Sequence, residues 1–214
     1  IIYINPADQT SNLELFATLS HEGFPGHLYQ TIYFLKTSPA DIRTLITSSG
    51  YVEGWATYIE SYGYQYAARD LDDPAATDYT RLIALNRRIN LCLYSLLDIG
   101  IHYYGWDETQ AARLLQFFGI TDAHVVSEIF QYIVETPANY QKYCWGCLNF
   151  LDLKKEWKDT LGDDFNLKAF HQNLLEIGPV QFPVLQKYMN ERLQKKYKEV
   201  PVRTSHFMTV YNIF

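Results

Sequence analysis

Residues 82–101, LIALNRRINLCLYSLLDIGI, place Leu82, Leu85, Ile89, Leu93, Leu96, Leu97 and Ile101 three or four positions apart. That is the period of an α-helix with one apolar face, and it predicts a long helix near residues 75–104, entered through the turn-and-cap segment LDDPAATDYT. The same period recurs on both sides. Upstream, IIYINPADQTSN reads as an extended segment. Asn12 or Thr10 then caps a helix running to His21, where Gly23, Pro25 and Gly26 interrupt it. A second helix covers about 26–36. SPADIRTLITSSG begins on a Ser38 cap with Pro39 at the first helical position and ends on Gly50, and another helix spans 53–69. Downstream, Asp107 caps ETQAARLLQFFG and Thr121 caps DAHVVSEIFQYIVE, which stops near Pro137. Residues 138–161, 164–177 and 181–197 form three further helical candidates, and the β-branched, aromatic end VPVRTSHFMTVYNIF suits a strand or ordered tail. The expectation is an all-α, multi-helix single domain over 1–214 with minor extended segments at its two ends.

Composition limits what such a domain does. The chain has 214 residues, 48% of them hydrophobic and 20% charged, with 11 Gly and 8 Pro, which suits one sizeable core or two small ones and excludes collagen-like, coiled-coil and disordered classes. The net charge is −6 and Lys and Arg are scattered, so nucleic acid is not an expected partner. No run approaches the roughly 20 apolar residues of a membrane span, since even 89–104 contains Asn90, Ser95, Asp98 and His102. The chain starts on Ile1 without a Met, a basic n-region or an apolar h-region, and reads as the C-terminal part of a longer protein whose targeting is illegible here. Of the three cysteines, Cys144 and Cys147 form a CxxC, but the second pair of a zinc knuckle and the βαβ setting of a redox motif are both missing, so they read as incidental.

The chemistry concentrates in residues 18–30, TLSHEGFPGHLYQ. His21, Glu22 and His27 resemble the HExxH arrangement, in which two imidazoles hold zinc and the Glu acts on a water. In a straight helix, histidines six apart point about 240° away from each other and stand about 9 Å apart along the axis. Pro25 lacks the N–H that would bond the His21 carbonyl, and Gly23 and Gly26 tolerate unusual torsions, so a kink that rejoins the ligands is expected. YVEGWATYIESYGY, residues 51–64, then offers Glu53 as third ligand, with Glu60 competing for the place. No phosphate loop or nucleophile elbow is present.

HEGFPGHLYQ followed by EGWATYIE resembles the DUF885 family of bacterial proteins, regarded as zinc-dependent, peptidase-like and related in pattern to gluzincins. LLDIGIHYYGWDETQA, PANYQKYCWG and FHQNLLEIGPVQFPVL are similar to three further segments of that family, in the same order. There are departures. Leu28 stands where a second His often follows PGH, Ala138, Asn139 and Tyr140 replace Gly, Gln and Ala, and Tyr94 stands in place of an Arg. The resemblance implies one zinc ion, an N-terminal helical region of the same protein as a partner facing the cleft, and export for some members. On this reading zinc sits on His21, His27 and Glu53, and Glu22 takes a proton from water and passes it to the leaving amine. Tyr143 is the first choice as donor to the oxyanion and His102 the second. Asp98 is placed in a supporting shell, and Tyr140, Glu60 and Gln30 near ligand or substrate. His171 is expected to make a structural contact. The expected function is a zinc metallohydrolase acting on peptides. The alternative is a non-catalytic helical domain that binds a peptide or partner, with a structural metal or none.

Overall fold

The structure, a computed structural model, describes residues 2–5, 11–70 and 74–199. The helices run in the order α1 (Asn12–Glu22), α2 (His27–Lys36), α3 (Asp41–Leu45), α4 (Ser49–Asp70), α5 (Pro74–His102), α6 (Glu108–Phe117), α7 (Ala123–Glu135), α8 (Gln141–Leu161), α9 (Leu167–Ile177) and α10 (Phe182–Glu199), with a 3-10 turn at Gly162–Asp164. The fold is all-α, and no strand occurs among the described residues. Residues 2–5 lie exposed without regular structure, whereas the strand or tail expected at 200–214, with His206, falls outside the described residues.

α4 is the axis of the fold because it is apolar on several sides: Tyr51, Trp55, Ala56, Tyr58, Ile59 and Tyr64 are all buried. α8 packs along it, α1, α2 and α5 pack on its other sides, and α9 and α10 close over α8 and α2. The larger core lies between α4, α8, α9 and α10, around Trp55, Phe150, Trp157 and Phe170. A second core joins α5, α6 and α7 through Leu93, Leu97, Leu115 and Ile133. α4 and α8 can approach closely because glycines meet where they cross. A Cβ on Gly54 would come within 2.5 Å of the Gly146 backbone, and one on Gly146 would lie 2.2 Å from the Gly50 carbonyl oxygen.

Several local expectations need correction. Ser11, rather than Asn12 or Thr10, caps α1: its side chain accepts from Glu14 N–H while the Glu14 carboxylate accepts from Ser11 N–H, a reciprocal capping box. Asp122, one residue after Thr121, caps α7 by accepting from His124 and Val125 N–H. Asp107 does cap α6. Ser38 caps nothing, since its φ is +53° and α3 starts after Ala40 without a side-chain cap. Gly50 does not end that segment but lies in the first turn of α4. The apolar stripe of α5 is buried only in part: Leu93, Leu97 and Ile101 enter the second core, while Leu82, Leu85, Ile89 and Leu96 are exposed.

Candidate metal centre

The break between α1 and α2 brings the two histidines together. α1 ends at Glu22, the Phe24–Pro25 peptide is cis, and α2 starts at His27. The chain folds back so tightly that a Cβ on Gly26 would sit 1.8 Å from the His21 carbonyl oxygen, so only glycine fits there. As a result the His21 and His27 rings lie 4.7 Å apart, nearly perpendicular. The expected kink therefore exists. Trp55 of α4 fixes it by donating its indole N–H to the Pro25 carbonyl at 3.0 Å.

The residue two before Trp55 completes the group. Glu53 Oε2 lies 3.3 Å from His27 Nε2 and 3.6 Å from His21 Nε2. Three donors about 2.1 Å from one tetrahedral zinc stand about 3.4 Å from each other, so these two separations match two edges of such a site. Glu22 also has an oxygen within 4.8 Å of a ring nitrogen of each histidine, but it is exposed. Glu53 is nearer to both rings and more enclosed, and it is the carboxylate that suits the third ligand position.

Glu60, two turns further along α4, stands on the opposite side of His21. Its Oε1 is 2.7 Å from His21 Nδ1, somewhat off the direction of a ring N–H. Arg87 of α5 donates to the other Glu60 oxygen at 3.4 Å. A carboxylate behind one ring nitrogen can orient the other toward a metal, and Glu60 stands behind Nδ1 whereas Glu53 faces Nε2. Burial opposes a charge on His21, but Glu53 and Glu60 outweigh it and raise its pKa to about 9. For Glu53 burial is likewise outweighed, by His21, His27 and Lys142, and its carboxyl is held far below the usual range. A doubly charged cation in this group would take the place of that His21 proton.

Tyr143 and Lys142 open α8 beside the same group. The Tyr143 ring is 6.4 Å from that of His21, and the Lys142 ammonium lies 3.7 Å from Glu53 Oε1 and over the Tyr143 ring. Burial and the Glu53 charge raise the Tyr143 pKa, so its hydroxyl keeps its proton. Lys142 had no sequence signal beyond its place next to Tyr143.

Other expected site residues have different partners. His102 Nε2 bonds the Ile133 carbonyl at 2.8 Å and lies 3.7 Å from Asp98, which ties α5 to α7. Asp98 is buried and accepts from Ala138 N–H at 3.1 Å. It thereby holds Ala138 at φ +60°, a torsion that suits the glycine of the resembling segment. Tyr140 stacks at 4.8 Å on Tyr94, the residue that stands in place of an Arg. Gln30 is buried, with no partner for its Nε2 among the described residues. The Lys154 ammonium donates to the Tyr62 hydroxyl at 2.7 Å, and the Tyr62 hydroxyl, the Tyr58 hydroxyl and His171 Nε2 follow in a line of hydrogen bonds of 2.8 Å each.

The family model described as "Bacterial protein of unknown function (DUF885)" matches residues 1–189. The fold is similar to that of the "putative lipoprotein from Colwellia psychrerythraea", with a TM-score of 0.71 and 30% identity over 90% of this chain and 32% of that one. It is similar also to the "putative lipoprotein of unknown function from Shewanella oneidensis", with a TM-score of 0.67 and 25% identity over 87% of this chain and 35% of that one. The chain thus spans about a third of the length of these structures. No curated protein matches it.

Proposed function

The chain belongs to the DUF885 family, and on that footing we propose that it forms the zinc-binding part of a hydrolase that cleaves peptide bonds. One observation carries the reading: a single Glu53 oxygen lies within 3.6 Å of Nε2 of both His21 and His27, while Glu60 backs the other nitrogen of His21. Zinc held by His21, His27 and Glu53 supplies Lewis acidity toward a carbonyl oxygen and a water. Glu22, exposed beside the two rings, takes the proton of the attacking water and returns it to the leaving amine. Tyr143 donates its hydroxyl to the substrate oxygen as negative charge develops there. His102 is less suited to that task because its Nε2 is already bonded to the Ile133 carbonyl. Lys142 steadies the Glu53 oxygen that faces away from the histidines.

The exposed apolar residues Leu28, Ile32 and Leu35 of α2 and Leu82, Leu85 and Ile89 of α5 suit the packing of a further helical region of the same protein, the partner that the resemblance implies. The lipoprotein names of the two solved relatives support a place in the cell envelope. No helix among the described residues is long and apolar enough to cross a membrane.

Hydrolysis of a mixed peptide library by the zinc-loaded chain tests the activity. Glu22→Gln is expected to lower the rate at least 100-fold while the bound zinc stays the same, in line with the usual weight of a general base. Cleavage that is indifferent to Glu22 or to removal of zinc by a chelator would refute the proposal.

A further inference from the structure

Cys92 on α5 and Cys144 in the first turn of α8 lie 52 positions apart in the chain, yet their sulfur atoms approach to 3.7 Å. Both are free thiols, Cys92 exposed and Cys144 half-buried. The sequence pairs Cys144 with Cys147 as a CxxC, but Cys147 is buried in the larger core, and that burial pushes its thiol up to about 12. The across-helix partner is therefore the accessible one.

We infer that Cys92 and Cys144 are a dithiol that closes into a disulfide joining α5 to α8. Closing the gap needs the sulfurs to approach by about 1.7 Å, to a bond of about 2.05 Å, within the reach of side-chain rotation at an exposed helix face. The oxidant is a low-molecular-weight disulfide. The Cys92 thiolate attacks one of its sulfurs and expels the first thiol, leaving a mixed disulfide on Cys92. The Cys144 thiolate then attacks the Cys92 sulfur, forms the Cys92–Cys144 bond and expels the second thiol. Two protons leave the protein and two electrons pass to the oxidant, which ends as two thiols.

The bond would enclose α6 and α7 in a covalent loop and pin the start of α8, where Lys142 and Tyr143 face Glu53 and His21. The inference rests on the sulfur geometry alone and stands whether or not the centre binds zinc.

The test incubates the folded chain with oxidised glutathione and reads it by mass spectrometry after thiol alkylation, by a non-reducing peptide map and by thermal melting. Expected are a loss of 2 Da, one alkylated thiol at Cys147, a Cys92–Cys144 linked peptide, and a rise in Tm on the order of 5–10 °C that dithiothreitol reverses. Cys92→Ser, a change at an exposed position, should abolish both the link and the rise. Three persisting free thiols, a glutathione adduct with no internal bond, or a Cys144–Cys147 link would each overturn the inference.

Discussion

His171 shows how a single side chain couples charge to folding. It ends a line of hydrogen bonds that runs from the Lys154 ammonium through the Tyr62 and Tyr58 hydroxyls to its Nε2. Burial first, and then the Lys154 charge, lowers its pKa from 6.5 to about 4. A histidine whose folded pKa is depressed contributes stability above its unfolded value and loses it as pH falls toward the folded one. Stability is therefore expected to drop by on the order of 2 kcal/mol between pH 6.5 and pH 4 on account of this residue. Urea titrations across that range check it: His171→Gln should be less stable at pH 7 yet lose less of its stability on acidification, and an unchanged slope would remove His171 as the cause. The FHQNLLEIG pattern made a structural role for His171 legible, but the Tyr–Tyr–Lys chain behind it was not, because those partners come from α4 and α8. The same holds at His21. Its pairing with His27 could be read from the Gly-Phe-Pro-Gly break, whereas the different positions of Glu53 and Glu60 around its ring could not. Both lie on one face of α4, two turns apart, and only the orientation of the His21 ring decides which of them faces Nε2.

Among the elements, the α4–α8 crossing does most to assemble the centre, since it carries Glu53 and Glu60 on one side and Lys142 and Tyr143 on the other. Gly146→Ala would put a methyl group 2.2 Å from the Gly50 carbonyl oxygen and 2.8 Å from Gly54 Cα, both backbone atoms that cannot yield cheaply. The expected cost is about 2–3 kcal/mol in denaturant unfolding, together with weaker zinc binding as Glu53 moves from the histidines. Alanine at 146 with wild-type stability would show that the helices do not cross as closely as described. Helix existence and approximate extent were readable from periodicity for the helices that bury an apolar stripe, and least so for α3, which buries no residue and covers only Asp41–Leu45. Asp107 caps α6 as its sequence indicates, whereas the caps of α1 and α7 lie one residue from the expected positions and Ser38 caps nothing. Ser11 won over its neighbours through the reciprocal bond with Glu14, a serine–glutamate spacing present in the sequence, and Asp122 won over Thr121 by reaching two backbone N–H groups at once. The glycines of EGWA and YCWG gave no such hint, since a close helix crossing involves two distant segments.

At the scale of the molecule, α5 marks where sequence reading stops. Its stripe is continuous from Leu82 to Ile101, yet only the part beyond Leu91 meets α6 and α7, and the earlier turns face outward. Periodicity reports a face that suits burial and is silent on what covers it. Solved relatives about three times as long as this chain fit the proposal that a further region of the protein lies against that face. The centre depends less on that region, because each of its groups comes from α1, α2, α4 or α8 of this chain. Its metal content is therefore measurable on the chain alone. The purified protein, loaded with zinc, dialysed and assayed by elemental mass spectrometry, should retain about one equivalent per chain, and His21→Ala/His27→Ala, still folded by circular dichroism, should retain none. A folded wild-type chain that keeps no zinc, or a double variant that keeps as much as the wild type, would contradict the account.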